Sequence, residues 1–298
     1  AVQRAALDSL LAWRDAWLER HADLLRGLLD PARFRDTLAQ ADLSAASEQI
    51  GAAERAEVMG VVVRVLYGLM VSRRGQRTSG AGQKARRAAI LSALYAAAPA
   101  DLGLLVDLML ASLGDAAGHG AGGVFVPGVP AAPARKQLGM LQLLGDVLRH
   151  LGRPLAPSLP RLVGVTVSLA AAACDDARRE VRRAALRRLA DLVRFDGIDW
   201  AVFAPPLLAL VRPRLATFAA DSVQAPSALL DLVRAWATRA DTLRALALPD
   251  VLAAVFAGLS SAHVHPVVAT QLAELAAHVV AAGAVETVPV LLAHLVPL

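Results

Sequence analysis

Apolar residues recur at intervals of three and four along almost the whole of this 298-residue chain, and no convincing polar–apolar alternation replaces them. A period near 3.6 gathers such residues on one face of a helix, whereas a half-buried strand needs a period of two. The pattern predicts an all-α fold. Composition agrees: the hydrophobic share is 56% but aromatics are only 4%, and much of the remainder is Ala. That mixture suits close-packed helices better than a β-sandwich, which draws on β-branched and aromatic residues.

The spacing predicts helices over roughly 2–29, 32–42, 54–72, 84–97, 100–113, 135–151, 157–173, 177–195, 201–217, 226–238, 249–259, 265–281 and 286–296. Pro31, Pro99, Pro154, Pro226, Pro249 and Pro266 fall at helix starts or between helices, where a missing N–H costs little. Asp101 and Asp175 can cap starts, and Gly114, Gly152 and Gly283 can take left-handed C-terminal positions. Two segments are expected to be irregular loops, 73–83 and 114–134. The second, "GDAAGHGAGGVFVPGVPAAP", is too rich in Gly and Pro for regular structure and reads as a flexible surface excursion.

The most repeat-like piece is "PSLPRLVGVTVSLAAAACDDARREVRRAALRRLADLV", residues 157–193. An apolar helix, an Asp-led turn and a second helix follow one another. In the second helix Val181, Ala184, Ala185, Leu189 and Leu192 form one stripe, and Arg179, Arg183 and Arg187 lie four apart on the opposite, solvated face. The form "D…VRxAAL…L" is that of a HEAT repeat's second helix. A weaker echo runs over 248–279. Such pairs imply a HEAT-repeat α-solenoid, a superhelical array of antiparallel helix pairs in which each pair covers its neighbour's apolar face. All of 1–298 is expected to be one continuous segment of it. The chain opens at Ala1 already in helical pattern, so a longer protein with loops closed up in the numbering is expected.

Basic residues outnumber acidic ones 31 to 26, and only Lys84 and Lys136 are lysines. The pI near 10.2 permits a polyanionic partner without demanding one, because abundant Ala, Arg, Gly and Pro also signal a GC-rich genome. Cys174 is alone, so neither an internal disulfide nor a Cys-based zinc site is available, and an intracellular setting is the default. Mean hydropathy is +0.48, yet the longest uncharged stretch, 251–273, is interrupted by Ser260, Ser261, His263, His265 and Pro266. It reads as two helices and a turn, not a membrane span.

Catalytic patterns fail one by one. Gly75-x-x-x-x-Gly80 has Walker spacing, but Ala81 and Gly82 stand where Lys and Ser/Thr are required. Gly80-x-Gly82-x-x-Ala85 lacks the preceding strand of a dinucleotide fingerprint. Neither a Gly-x-Ser-x-Gly elbow nor His-Glu-x-x-His occurs. His263 and His265 lack a third metal ligand, and Asp175 and Asp176 read as capping residues. Trp13, Trp17, Trp200 and Trp236 are too dispersed for a base-stacking platform. No enzyme, metal or cofactor is expected.

What remains is charge. "VSRRGQRTSGAGQKARRAAI" (71–90) carries Arg73, Arg74, Arg77, Lys84, Arg86 and Arg87, and no acidic residue occurs between Val71 and Ala100. Guanidinium forks match phosphate oxygens, and counterion release drives such contacts. Arg135 and Lys136, which open the helix after the Gly-rich excursion, can add to that surface. These eight are the candidate RNA-phosphate contacts; the alternative is a charged loop that meets only water.

Several stretches then read together. "FRDTL" (34–38), "VMGVVVRVLYGLMVSRRG" (58–75), "ARRAAILSALYAAAPADLGLLVDLMLASL" (85–113), "RKQLGMLQLLGDVLRHLG" (135–152), "FDGIDW" (195–200) and "VRPRLATFAADSVQAPSALLDLVRAWA" (211–237) occur in this order. The series resembles the DRIM (down-regulated in metastasis) family, very long HEAT-repeat proteins associated with small nucleolar RNA in the small-subunit processome. The resemblance covers most of the chain from about Leu24 to Val280. One departure is Leu69, where the family tends to carry a basic residue after "LYG".

The resemblance implies a non-catalytic scaffold of the nucleus and nucleolus. It would act within the 90S pre-ribosome in pre-rRNA processing and 40S subunit biogenesis. Its implied partners are pre-ribosomal RNA, the small nucleolar RNP and other processome proteins, with no membrane, cofactor or small-molecule substrate. The competing reading is a HEAT adaptor of another class, a transport receptor or phosphatase scaffold. Transport receptors line their concave face with acidic residues and repeated Trp/Asn pairs, which this chain lacks. The helical portion of a large kinase or synthetase is a more distant alternative.

Overall fold

Helices carry most of the described residues. The computed structural model describes residues 2–72, 80–114, 116, 118–121, 124–173, 178–222, 225–246, 248–257, 264–282, 289 and 292. Its contacts divide the chain into two compact units, Ala1–Ser112 with Asp146–Ser158, and Leu113–Gly145 with Leu159–Leu298.

The first unit begins with α1 (Val2–Leu11), α2 (Ala16–Arg20) and α3 (Ala22–Leu29), where the spacing predicted one helix. The chain turns at Arg14, whose φ of 57° is left-handed. Leu7 and Leu18, both buried, are still in phase across the turn, because eleven residues are close to three helical turns. Periodicity therefore cannot register the break. Next come α4 (Phe34–Gln40), α5 (Arg55–Val71), α6 (Gly80–Ala93) and α7 (Pro99–Leu110).

Within this unit α3 packs on α5 and α5 on α7, while α4 packs on α6, and α3–α4 and α5–α6 contacts join the two rows. Buried Val58, Met59, Val62, Val63, Leu66 and Met70 of α5 fill the space between them. Asp101 serves α7 as expected, accepting the Ala98 N–H at 3.2 Å. Gly114 and Gly152 take φ values of 67° and 54°, the left-handed geometry assigned to them; Gly283 lies outside the described residues.

The second unit opens on a correction. Residues 119–126 are not a loose excursion: β1 (His119–Ala121) and β2 (Val124–Val126) pair antiparallel, with His119 opposite Val126. Val124, Phe125 and Val126 favour strand, and Phe125 is buried with its ring 5.1 Å from that of Phe203. Gly118, at φ 66°, leaves room for that ring. Beyond the hairpin, Gly128 N–H donates to Ser168 Oγ at 2.9 Å and Gln137 Nε2 to Ala132 O at 2.7 Å. Ala131 N–H donates to Leu113 O at 3.0 Å. These bonds anchor the part of the excursion that follows the hairpin.

α8 (Ala134–Leu151) contributes residues to both units. A 3-10 segment, Arg153–Ser158, then precedes α9 (Leu159–Ala172) and α10 (Arg179–Leu192). The next helix, α11 (Trp200–Ser222), outruns its predicted end despite Pro205, Pro206 and Pro213. Buried Phe203, Leu207, Leu210, Val211 and Phe218 hold it where backbone donors are missing.

The predicted 226–238 helix is α12 (Ala228–Ala237), followed by α13 (Ala240–Leu246), a helix the pattern did not predict. Buried Thr242 makes that turn, its hydroxyl donating to Trp236 O at 2.6 Å. Last come α14 (Pro249–Phe256) and α15 (Pro266–Ala281), the two helices read in 251–273. Two rows recur in this unit: α9 packs on α11 and α11 on α13 and α14, while α10 packs on α12 and α12 on α15.

By length and composition alone, the stretches Arg153–Ala172 and Trp200–Phe218 could cross a membrane. In α9 every residue from Leu162 to Ala170 is buried, so its apolarity serves packing.

Candidate nucleic-acid interface

Of the eight predicted phosphate contacts, Arg73, Arg74 and Arg77 lie outside the described residues. The helix that follows starts at Gly80, so the expected 73–83 loop gives way to helix earlier than the sequence suggested. Lys84 is exposed on α6 and Arg86 half-buried. With Arg35 of α4, Arg86 borders a groove of about 880 Å³ whose floor includes Phe34, Leu38, Ala85 and Ala89. No acidic residue lines it.

Arg87 differs in kind. Its Nε donates to Met70 O at 2.9 Å and its Nη1 lies 3.4 Å from Asp146 Oδ2. Met70 lies in the last turn of α5, whose last carbonyls lack partners inside the helix. A guanidinium there satisfies one of them and complements the negative helix end. Arg87 therefore fastens α6 to α5.

Arg135 and Lys136 belong to the second unit, exposed in the first turn of α8. No carboxylate accompanies them in that turn, and cations at a helix N-terminus oppose the dipole. They do nothing for α8 itself and add to a positive local field.

The densest charge is on α10, whose predicted arginine face is exposed and whose predicted apolar stripe is buried except at Ala184, which is half-buried. Val181, Ala185, Leu186, Leu189, Ala190 and Leu192 are buried, against α9 and α12 among others. The arginines divide by task. Arg182 Nη1 donates to Ala173 O at 2.9 Å and Arg178 Nη1 to Ala172 O at 3.4 Å, closing the end of α9. Arg188 lies against Gly145, occupying the space a side chain there would need, and pairs with Asp191 at 3.3 Å. Arg183, Arg187 and Arg194 are exposed and make no ion pair among the described residues.

Beside them lies a cleft of about 690 Å³, lined in part by Arg187, Arg188, Arg194, Arg234 and Arg239 with Asp191 and Asp231. Its carboxylates and those around it are mostly engaged. Arg234 pairs with Glu274, and Arg239 pairs with Asp196 at 2.6 Å and Asp241 at 3.0 Å. Arg239 thereby clamps the turn of "FDGIDW", where Gly197 has a φ of 83° and Trp200 is buried. Its two-pronged bond holds the Asp241 carboxyl below the ordinary range. The sequence signal for this cleft was the four-residue spacing of arginines; what it concealed was which carboxylates are already taken.

The remaining chemical candidates resolve plainly. His265 is the N-cap of α15, its Nδ1 accepting the Val267 N–H at 3.2 Å. His263, Cys174, Asp175 and Asp176 lie outside the described residues. Among the described residues no group of His, Cys, Asp and Glu could hold a metal.

A family model described as "U3 small nucleolar RNA-associated protein 20, N-terminal" matches residues 1–290. The chain belongs to this family. The U3 small nucleolar RNA-associated protein 20 of Schizosaccharomyces pombe is 28% identical over 257 residues, 79% of this chain and 10% of the relative. That of Saccharomyces cerevisiae is 25% identical over 254 residues, again 79% of this chain and 10% of the relative. The chain thus spans about a tenth of the length of the curated relatives it matches. The DRIM resemblance read from the sequence is the same family. Val65 and Leu66 of "VLYG" are buried, and Gly68 is closed over by the Gln3 side chain.

Proposed function

We propose that this chain is a HEAT-repeat segment of a non-catalytic scaffold of the small-subunit processome. The scaffold acts in the nucleolus in pre-rRNA processing and 40S subunit biogenesis, and it binds pre-ribosomal RNA, the U3 small nucleolar RNP and other assembly factors. The observation that carries this reading is the family match over residues 1–290. The relatives' printed names supply the association with U3 small nucleolar RNA.

The packing supports the scaffold part. In each unit, helices fall in two rows, with consecutive helices tending to alternate between them. A solenoid of helix pairs has that arrangement, and its function lies in surface area. Lys84, Arg86, Arg135 and Lys136, together with Arg73, Arg74 and Arg77, are proposed as phosphate contacts on it, and Arg87 as the anchor of α6. The test is to purify the full-length protein from cells and sequence the RNA and proteins that accompany it. Enrichment of pre-rRNA, U3 RNA and processome proteins is expected; their absence sinks the proposal.

A further inference from the structure

We infer that the exposed arginine ridge of α10, Arg183 and Arg187 continued by Arg194 into the adjacent cleft, is a binding surface for the phosphate backbone of RNA. The inference rests on the reading above that the protein works on pre-ribosomal RNA, and it gives that reading a place on the molecule.

Seven arginines lie between residues 178 and 194, against Glu180 and Asp191. Arg178 and Arg182 are spent on the carbonyls that end α9, Arg188 on Asp191, and Arg179 is engaged as well. On the far wall of the cleft Arg234 and Arg239 are matched to Glu274, Asp196 and Asp241. Those pairs lock the wall and leave it no spare positive charge, two arginines standing against three carboxylates. Arg183, Arg187 and Arg194 are left over, exposed and without a carboxylate among the described residues. Two carboxylates stay near them: Glu180, one turn before Arg183, and Asp231 in the cleft.

Folding does not require these three. All three are exposed, and each would be as soluble as Lys, Glu or Gln. Arg183 and Arg187 are about 6 Å apart along the helix axis, on a helix buried against two neighbours and hence fixed. A rigid row of guanidinium forks at that interval suits successive phosphates, each taking a two-pronged contact. The cleft of about 690 Å³, lined by Arg187 and Arg194, has room for a nucleotide. An acidic peptide would also be attracted. Arg234 and Arg239, however, which would anchor its carboxylates, already hold carboxylates of this chain, whereas a backbone tracked along the ridge needs only the spare three.

The test uses the full-length protein and phenylglyoxal, which modifies accessible arginines, with each site read by mass spectrometry. Adding a pre-ribosomal RNA transcript should slow modification of Arg183, Arg187 and Arg194 about five-fold, with protection fading as salt rises. Nuclease should abolish it. The variant R183A/R187A/R194A should keep wild-type hydrogen exchange across α10 and lose RNA crosslinks on that peptide. Three results overturn the inference: equal modification with and without RNA, protection in the native particle that survives nuclease (an acidic protein occupant), or unchanged crosslinks in the variant. If wild-type protein brings down no pre-rRNA at all, the underlying reading fails with it. If pre-rRNA is recovered while these arginines react freely, only the ridge is wrong.

Discussion

Arg55 and Asp101 form a nearly buried ion pair, Nη2 to Oδ2 at 2.7 Å, with side chains 14% and 9% exposed. Arg55 opens α5 and also donates to Ser44 O at 2.7 Å and Leu43 O at 3.1 Å, so one guanidinium ties the 41–54 connection to α5 and α7. Removing one partner of such a pair strands the other charge. Asp101→Ala should therefore cost about 3 kcal/mol, the low end for a buried pair because two carbonyls still hold Arg55. Hydrogen exchange of the full-length protein should show residues 42–55 and 98–102 opening about a hundredfold more often, at 1.4 kcal/mol per factor of ten. Unchanged exchange there would mean the pair contributes nothing.

How much of this was legible in the sequence depends on the range of the forces involved. Most helix positions were, because a 3.6-residue period is local, though α13 was missed. The turn at Arg14 was not, because Leu7 and Leu18 stay in phase through it. The hairpin was hidden by its glycines: only burial of Phe125 against Phe203 makes three strand residues worth pairing. The charged surface shows the same division. Residues 178–194 announce a basic helix, but the assignment of Arg182 to Ala173 O, and of Arg239 to Asp196 more than forty positions away, is decided by packing.

Arg87 and Lys84, grouped together by sequence, should separate in experiment. Arg87→Gln breaks the bond to Met70 O and leaves Asp146 with Arg149 alone, so it should cost about 1–2 kcal/mol. Lys84→Gln touches no partner among the described residues and should stay within about 0.5 kcal/mol. Exchange rates in α6 report both. Equal effects would show that Arg87 is not a fastening.

Gly27 lets α3 and α4 approach. A methyl group there would meet Oγ1 and Cγ2 of Thr37, and a β-branched side chain in a helix has little freedom to swing aside. Overpacking costs about 1–3 kcal/mol, against roughly 1 kcal/mol gained by replacing Gly with Ala in a helix. Gly27→Ala should therefore loosen the α3–α4 contact by about 1 kcal/mol. The double variant G27A/T37A should be the more stable of the two. If Gly27→Ala alone stabilises, the approach is looser than the structure shows.

The Arg239–Asp241 clamp makes a pH-dependent contribution whose sign is fixed. The hydrogen bonds from Arg239 lower the Asp241 pKa in the folded protein, against a carboxyl near 3.9 when unfolded. The stabilisation is complete above that unfolded value and is lost as pH falls through the lower folded one. Asp241 is about half exposed, so solvent screens the pair and the effect should stay below about 1 kcal/mol. Exchange protection of α13, corrected for the intrinsic rate, should fall a few-fold between about pH 4 and pH 2. In Asp241→Asn this segment should start less protected and lose the acid-dependent step. A step of equal size in the Asn variant would assign it to another carboxylate, Asp196 being the other one that Arg239 holds.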